Sequence, residues 1–198
     1  MDEPLNAFLA AQRVFTKTVH AVGEGDWHAP TPDTEWDVAE LLGHMIEEHR
    51  YAAPLLHGQD LESARMIVEG SRKLPVDGGV GANLAEEWDE AAVESSDAFS
   101  RDGALDRDVA LSRGSTPARQ YIAEMTFDLV VHGWDLAKAI GRDVEFPPEV
   151  VEHVYEQAKN FGDLSGSGFF APPVDVPDDA PTLDRLMGLT GRDPDWKP

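Results

Sequence analysis

The chain contains no cysteine, so a disulfide, a thiolate metal site and a thiol nucleophile of its own are all excluded. Basic residues are scarce: 16 Lys and Arg stand against 38 Asp and Glu, a formal net charge of −22 in 198 residues. A surface this negative repels phosphate backbones and anionic lipid, which argues against nucleic acid or a membrane as the main partner. Long apolar runs are missing too. No stretch approaches the ~20 residues of a membrane span, and Met1-Asp2-Glu3-Pro4 does not open a signal peptide. A cytoplasmic location is the expectation. Aromatic residues make up only 8%, yet the hydrophobic share of 41%, with five Trp and eight Phe, is too rich for a disordered acidic chain. A chain of this length buries roughly 70% of its unfolded surface, enough for one sizeable core.

Nothing reads as a set of alternating strands; helical periodicity dominates. A first helix is predicted over residues 4–22, with Leu5, Phe8, Leu9, Phe15 and Val19 broadly on one side and Gly23 and Gly25 beyond it. Thr34 is the expected N-cap of a second helix, with Asp37 three residues on in the manner of a capping box. That helix carries Trp36, Val38, Leu41, Met45, Ala52, Leu55 and Leu56 and should stop near Gly58. Residues 73–82 are rich in Gly and read as a loop, followed by a third helix over 83–99. Residues 101–115 form a connection with a short extended piece around 109–111. Thr116-Pro117 then opens a fourth helix running through Ile140 to Gly141. A fifth helix follows Pro147-Pro148, and the proline-rich tail holds one more helical stretch over 182–189. The expected fold is all-α, a helical bundle over residues 1–145 with a C-terminal extension over 146–198 packed on it.

Helical-wheel positions show which polar side chains turn inward. On the fourth helix Ile122, Met125, Leu129, Leu136 and Ile140 form the apolar arc, with Asp128 at its edge and His132 within it, four residues apart on one face. On the second helix His44 lies at the edge of the arc, and Glu48, again four residues on, falls inside. Burying such groups costs several kcal/mol each unless they are paired or bind a metal. Imidazole nitrogen and carboxylate oxygen suit Zn, Ni, Fe or Mn. Two ligands on one helix and one from a facing helix leave positions open for water or substrate, the catalytic rather than the structural arrangement. An internal His–carboxylate network without metal is the competing reading. Glu48 is either a fourth ligand or the base that takes a thiol or water proton. Asp135 either orients an imidazole from behind or faces solvent, and Glu124 and Arg50 are expected at the surface. His20, His28, His57 and His153 show no partner spacing. The glycines at 78, 79 and 81 lack the context of a phosphate cradle, and there is no Gly-x-Ser-x-Gly elbow.

Three segments carry a resemblance. Pro30-Thr31-Pro32-Asp33-Thr34-Glu35-Trp36-Asp37-Val38 followed by Leu41-Leu42-Gly43-His44, the run from Asp128 through His132 to Ala137, and the ending from Phe170 to Gly191-Arg192-Asp193-Pro194-Asp195-Trp196 resemble the mycothiol-dependent maleylpyruvate isomerase-like proteins. Those belong to the DinB-like metal-binding four-helix bundles. The resemblance implies a divalent metal, zinc first among the options, held by His44, Asp128 and His132. It also implies a low-molecular-weight thiol such as mycothiol as cosubstrate. In the isomerase a glutamate stands where Asp128 is, and a larger C-terminal domain supplies substrate-binding groups, so isomerisation of maleylpyruvate is not carried over. The expected activity is attack by a metal-activated thiol on an electrophilic small molecule, by a monomer or homodimer. A metal-hydroxide hydrolase and a non-catalytic metal-containing bundle with a structural or regulatory binding role are the alternatives.

Overall fold

A computed structural model describes residues 2–71, 80–161 and 170–198. Helix α1 spans Glu3–Val19, with Pro4 in its first turn, where a missing N–H is harmless. Helix α2 spans Val38–Leu56, and its true N-cap is Asp37 rather than Thr34. The Asp37 carboxylate accepts from the Glu40 N–H at 2.9 Å and the Glu40 carboxylate accepts from the Asp37 N–H at 3.0 Å. This reciprocal pair satisfies two otherwise orphaned donors, which fixes the start three residues later than the Thr34 reading. Helix α2 ends as expected before Gly58, whose φ of +84° is a left-handed conformation suited to glycine.

A helix absent from the sequence reading, α3, spans Leu61–Ser71 and packs on α2. Only Ala64 and Val68 of it are buried, while Met66 and Ile67 face solvent, so its apolar stripe is narrow. Most of the loop expected at 73–82 lies outside the described residues, and the chain is already helical at the start of α4, Val80–Phe99. After a short 3-10 turn, strands β1 (Asp108–Leu111) and β2 (Gly114–Pro117) form an antiparallel hairpin pairing Asp108 with Pro117 and Leu111 with Gly114. Thr116-Pro117 therefore closes a strand before it opens helix α5, Ala118–Ala139. Helices α6 (Pro148–Phe161) and α7 (Thr182–Leu189) complete the described elements.

Helices α1, α2, α4 and α5 form the four-helix bundle of the DinB-like fold, with α2 laid on α4, α1 on α5 and α2 also against α5. Phe8, Phe15, Leu41, Met45, Trp88, Ile122, Leu129 and Leu136 meet in its core. Gly133 permits a close approach on α5: a Cβ there would stand 2.8 Å from Phe146 and 3.3 Å from Phe15. Helix α6 buries Val150, Val151, Val154 and Ala158 beside α5 and α1, and α7 packs on α6. Among the described residues no helix is long and apolar enough to cross a membrane.

Candidate metal centre

The adjacency of α2 and α5 brings their inward-turned imidazoles together. The His44 and His132 rings lie edge to face with centroids 5.5 Å apart. Trp36, in the turn before α2, stacks on His44 at 4.6 Å and leans on His132 at 5.6 Å. This indole roof and the neighbouring imidazole explain the state of His44. Burial, with the adjacent His132 adding to it, drives its pKa down to about 4, so the ring is neutral and one of its nitrogens offers a lone pair.

His132 is held from behind. Its Nδ1 lies 3.1 Å from Oδ2 of Asp135, one turn along the same helix and fully buried. Asp135 also meets Arg192 from the C-terminal segment, at 2.9 Å through Oδ2 and 3.3 Å through Oδ1. Burial would raise the Asp135 pKa, but Arg192 and His132 outweigh it and hold the carboxyl below its ordinary value. An ionised carboxylate only accepts, so Nδ1 of His132 donates to it, and the neutral form of the ring then carries its lone pair on Nε2. The same guanidinium reaches Asp33 at 2.8 Å. Asp33, His132 and Asp135 form the acid–imidazole cluster among the described residues whose ligand atoms all lie within 4.8 Å of one another. Both of its carboxylates already face a fixed cation, Arg192, and the cluster is therefore an ion-pair network.

Among the described residues, Asp128, one turn before His132, and Glu48, one turn after His44, form no ion pair with a cationic side chain. Both are half-buried and line a cavity of about 360 Å³ between α2, the hairpin and α5, together with Glu47, Tyr51, Tyr121 and Glu124. Burial, reinforced by Asp128 and Glu47 and opposed by His132, pushes Glu48 up to about 7. Burial likewise lifts Asp128 to about 6, with Glu124 adding to the rise while His132 and Arg192 oppose it. The Tyr121 hydroxyl is buried without a hydrogen-bond partner. By donor chemistry, the imidazole nitrogens of His44 and His132 and the carboxylates of Glu48 and Asp128 fit a divalent cation. Among the described residues, the three-ligand group already drawn within 4.8 Å is Asp33, His132 and Asp135, and it does not include His44, Glu48 or Asp128.

Several sequence expectations take a different form. Asp135 takes the first of its two readings, orienting His132 rather than facing solvent. Arg50 is not a surface residue: it is buried and pairs with Glu87 on α4 at 2.9 Å. Glu124 is bound by Arg113 at 2.7 and 2.8 Å and lines the cavity. His49 is fully buried with Nδ1 2.8 Å from Ser95 and its ring stacked on Phe8; burial, with His44 adding, drives it down to about 3. Arg192 and Asp33 had no spacing signal at all, because 57 and 159 residues separate Arg192 from its two partners.

Known proteins supply a context for this geometry. Residues 8–137 match the family model described as the mycothiol maleylpyruvate isomerase N-terminal domain. Two curated relatives, uncharacterized proteins from two strains of Mycobacterium tuberculosis, are each 28% identical over 193 residues, covering 96% of this chain and 98% of theirs. The crystal structure of the mycothiol-dependent maleylpyruvate isomerase is similar with a TM-score of 0.70 at 13% identity, over 98% of this chain and 90% of that one. A histidine-to-alanine mutant of the same isomerase matches equally well. The likeness extends into the C-terminal segment, so the two chains differ less in extent than the short tail alone suggests.

Proposed function

The chain belongs to the mycothiol maleylpyruvate isomerase N-terminal domain family, and on that premise we propose that it is an enzyme holding one divalent metal, zinc by preference, on His44, Asp128 and His132. The thiol cosubstrate is of low molecular weight, in the manner of mycothiol, and the substrate is an electrophilic small molecule. The observation that carries the reading is the edge-to-face meeting of His44 and His132, with the raised carboxyls of Glu48 and Asp128 one turn away on the same two helices. A bound divalent cation supplies Lewis acidity that favours the thiolate at neutral pH.

The protein's own groups do the rest. Asp135 takes the hydrogen bond of Nδ1 on His132, which leaves Nε2 as the ring nitrogen free to serve as a ligand atom. Trp36 shields both rings from water on one side. Asp128 contributes negative charge and an oxygen donor. Glu48 lines the cavity wall and, poised near neutral pH, accepts the thiol proton and returns it to the product. Leu55, Leu61, Leu111 and Met125 give the cavity an apolar floor for the reacting molecule.

Elemental analysis of protein purified without added metal should find about one zinc per chain, absent from a His44→Ala, His132→Ala double variant. Glu48→Gln should keep the metal and lose most turnover of mycothiol with an electrophile. Metal retained by the double variant would remove the ligand assignment, and unchanged turnover of Glu48→Gln would remove the base.

A further inference from the structure

The C-terminal segment reaches across the molecule to the imidazole pair through one side chain. Arg192 is buried, at 5% exposure, against a 0% exposed Asp135. Its Nη2 lies 2.9 Å from Asp135 and 2.8 Å from Asp33, while Nε faces the second Asp135 oxygen at 3.3 Å and Nη1 donates to the Thr190 carbonyl at 2.9 Å. The guanidinium carbon stands 5.6 Å from the Phe170 ring centroid. The backbone at this point is equally constrained. Gly191 has φ of +78°, and a Cβ on it would stand 2.6 Å from the Ala171 carbonyl oxygen.

Each carboxylate that Arg192 holds governs one imidazole. Asp135 faces Nδ1 of His132. Asp33 begins the turn closed by the Trp36 N–H on the Asp33 carbonyl at 3.1 Å, and the Thr31 hydroxyl bonds the carbonyls of both Asp33 and Trp36 at 2.8 Å. The indole on that turn is the one stacked on His44. A planar fork with several donors grips two carboxylates at fixed angles, which the single point charge of a lysine does not.

We propose that Arg192 is a positioning residue for the paired imidazoles, fixing Asp135 behind His132 and, through Asp33, the Trp36 turn over His44, so that both rings are set before any ligand arrives. The inference rests on the reading of these rings as ligands for its purpose, but the arrangement it describes belongs to the metal-free chain. Loss of an outer partner of this kind typically weakens metal binding about 10–100-fold.

The test uses full-length, metal-free protein labelled with 15N-histidine at pH 8, where long-range proton–nitrogen spectra locate the His132 proton. Wild type should show one tautomer with the proton on Nδ1. Arg192→Met should lose that single state and bind zinc about 10–100-fold more weakly. Arg192→Lys keeps a positive charge without the fork, and should fold while still mixing tautomers. Lys138→Met removes a different tie to the same segment, the 2.9 Å bond to the Pro194 carbonyl, and should leave His132 unchanged. A wild-type His132 spectrum in folded Arg192→Met overturns the inference, as does loss of the single tautomer in Lys138→Met. If Arg192→Met does not fold, Arg192→Lys decides: a mixed tautomer supports the inference and an unchanged spectrum overturns it. Failure of wild type to take up zinc would instead overturn the ligand reading of the preceding section, while the tautomer comparison would still judge Arg192.

Discussion

Asp128 and Asp135 lie seven residues apart on one face of α5, on either side of His132, and burial pushes both carboxyls up, yet they end on opposite sides of the ordinary value. Asp135 has Arg192 and His132 against it and stays below the ordinary carboxylate range. Asp128 forms no ion pair among the described residues, feels Arg192 only at a distance and is pushed up to about 6, with Glu48 across the cavity at about 7. Burial alone therefore does not decide the charge of a carboxylate; the cation beside it does. One set of acids already holds its cation, built from the chain. The other set, Glu48 and Asp128, lines a cavity and pairs with no cation among the described residues.

The largest expected effect comes from breaking the compensated side. Arg192→Met leaves the buried Asp135 and the half-buried Asp33 without their cation, and should lower the unfolding free energy of the metal-free protein by about 3–5 kcal/mol, measured by urea unfolding. The uncompensated side should respond with the opposite sign. A carboxyl whose folded pKa is raised binds more protons folded than unfolded between its two pKa values. Stability therefore falls as pH climbs through that window, from 3.8 to about 6 for Asp128. Asp128→Asn should thus stabilise the metal-free protein at pH 8, by about 1–3 kcal/mol, and abolish the further stabilisation that zinc gives wild type.

His49 sharpens the contrast from the other direction. It is an imidazole lowered from 6.5 to about 3, so the unfolded chain binds its proton first and stability is lost as pH falls through that window. The slope from this group is at most ~1.4 kcal/mol per pH unit, and His49→Phe should flatten the acid limb of a pH–stability curve accordingly. Arg65 and Glu69, an exposed pair four residues apart on α3, mark the lower end: Arg65→Ala should shift neither the urea midpoint nor zinc binding.

Much of this was legible in the residues. The strongly periodic segments of α1, α5, α6 and α7 appear where the apolar pattern puts them, and the two i, i+4 pairs sit on facing helices. The misplaced start of α2 came from reading Thr34 as the cap when the Asp37–Glu40 exchange closes the helix one turn later. Helix α3 went unseen because only Ala64 and Val68 mark its buried face. The second strand was hidden by Thr116-Pro117, which fits a helix start and the end of a strand equally well. Asp135 could be suspected from its spacing to His132, but its choice between orienting a ring and meeting water depended on Arg192. That residue comes from another part of the chain, and no local pattern announces a partner 57 residues away.

The most direct measurement is the position of zinc in crystals grown from metal-free protein and soaked with the ion, located by anomalous scattering. Density touching His44, Asp128 and His132, with Arg192 still between Asp33 and Asp135, is the predicted result. Zinc seated on Asp33 and Asp135 in place of the guanidinium, or no bound zinc at all, would contradict it.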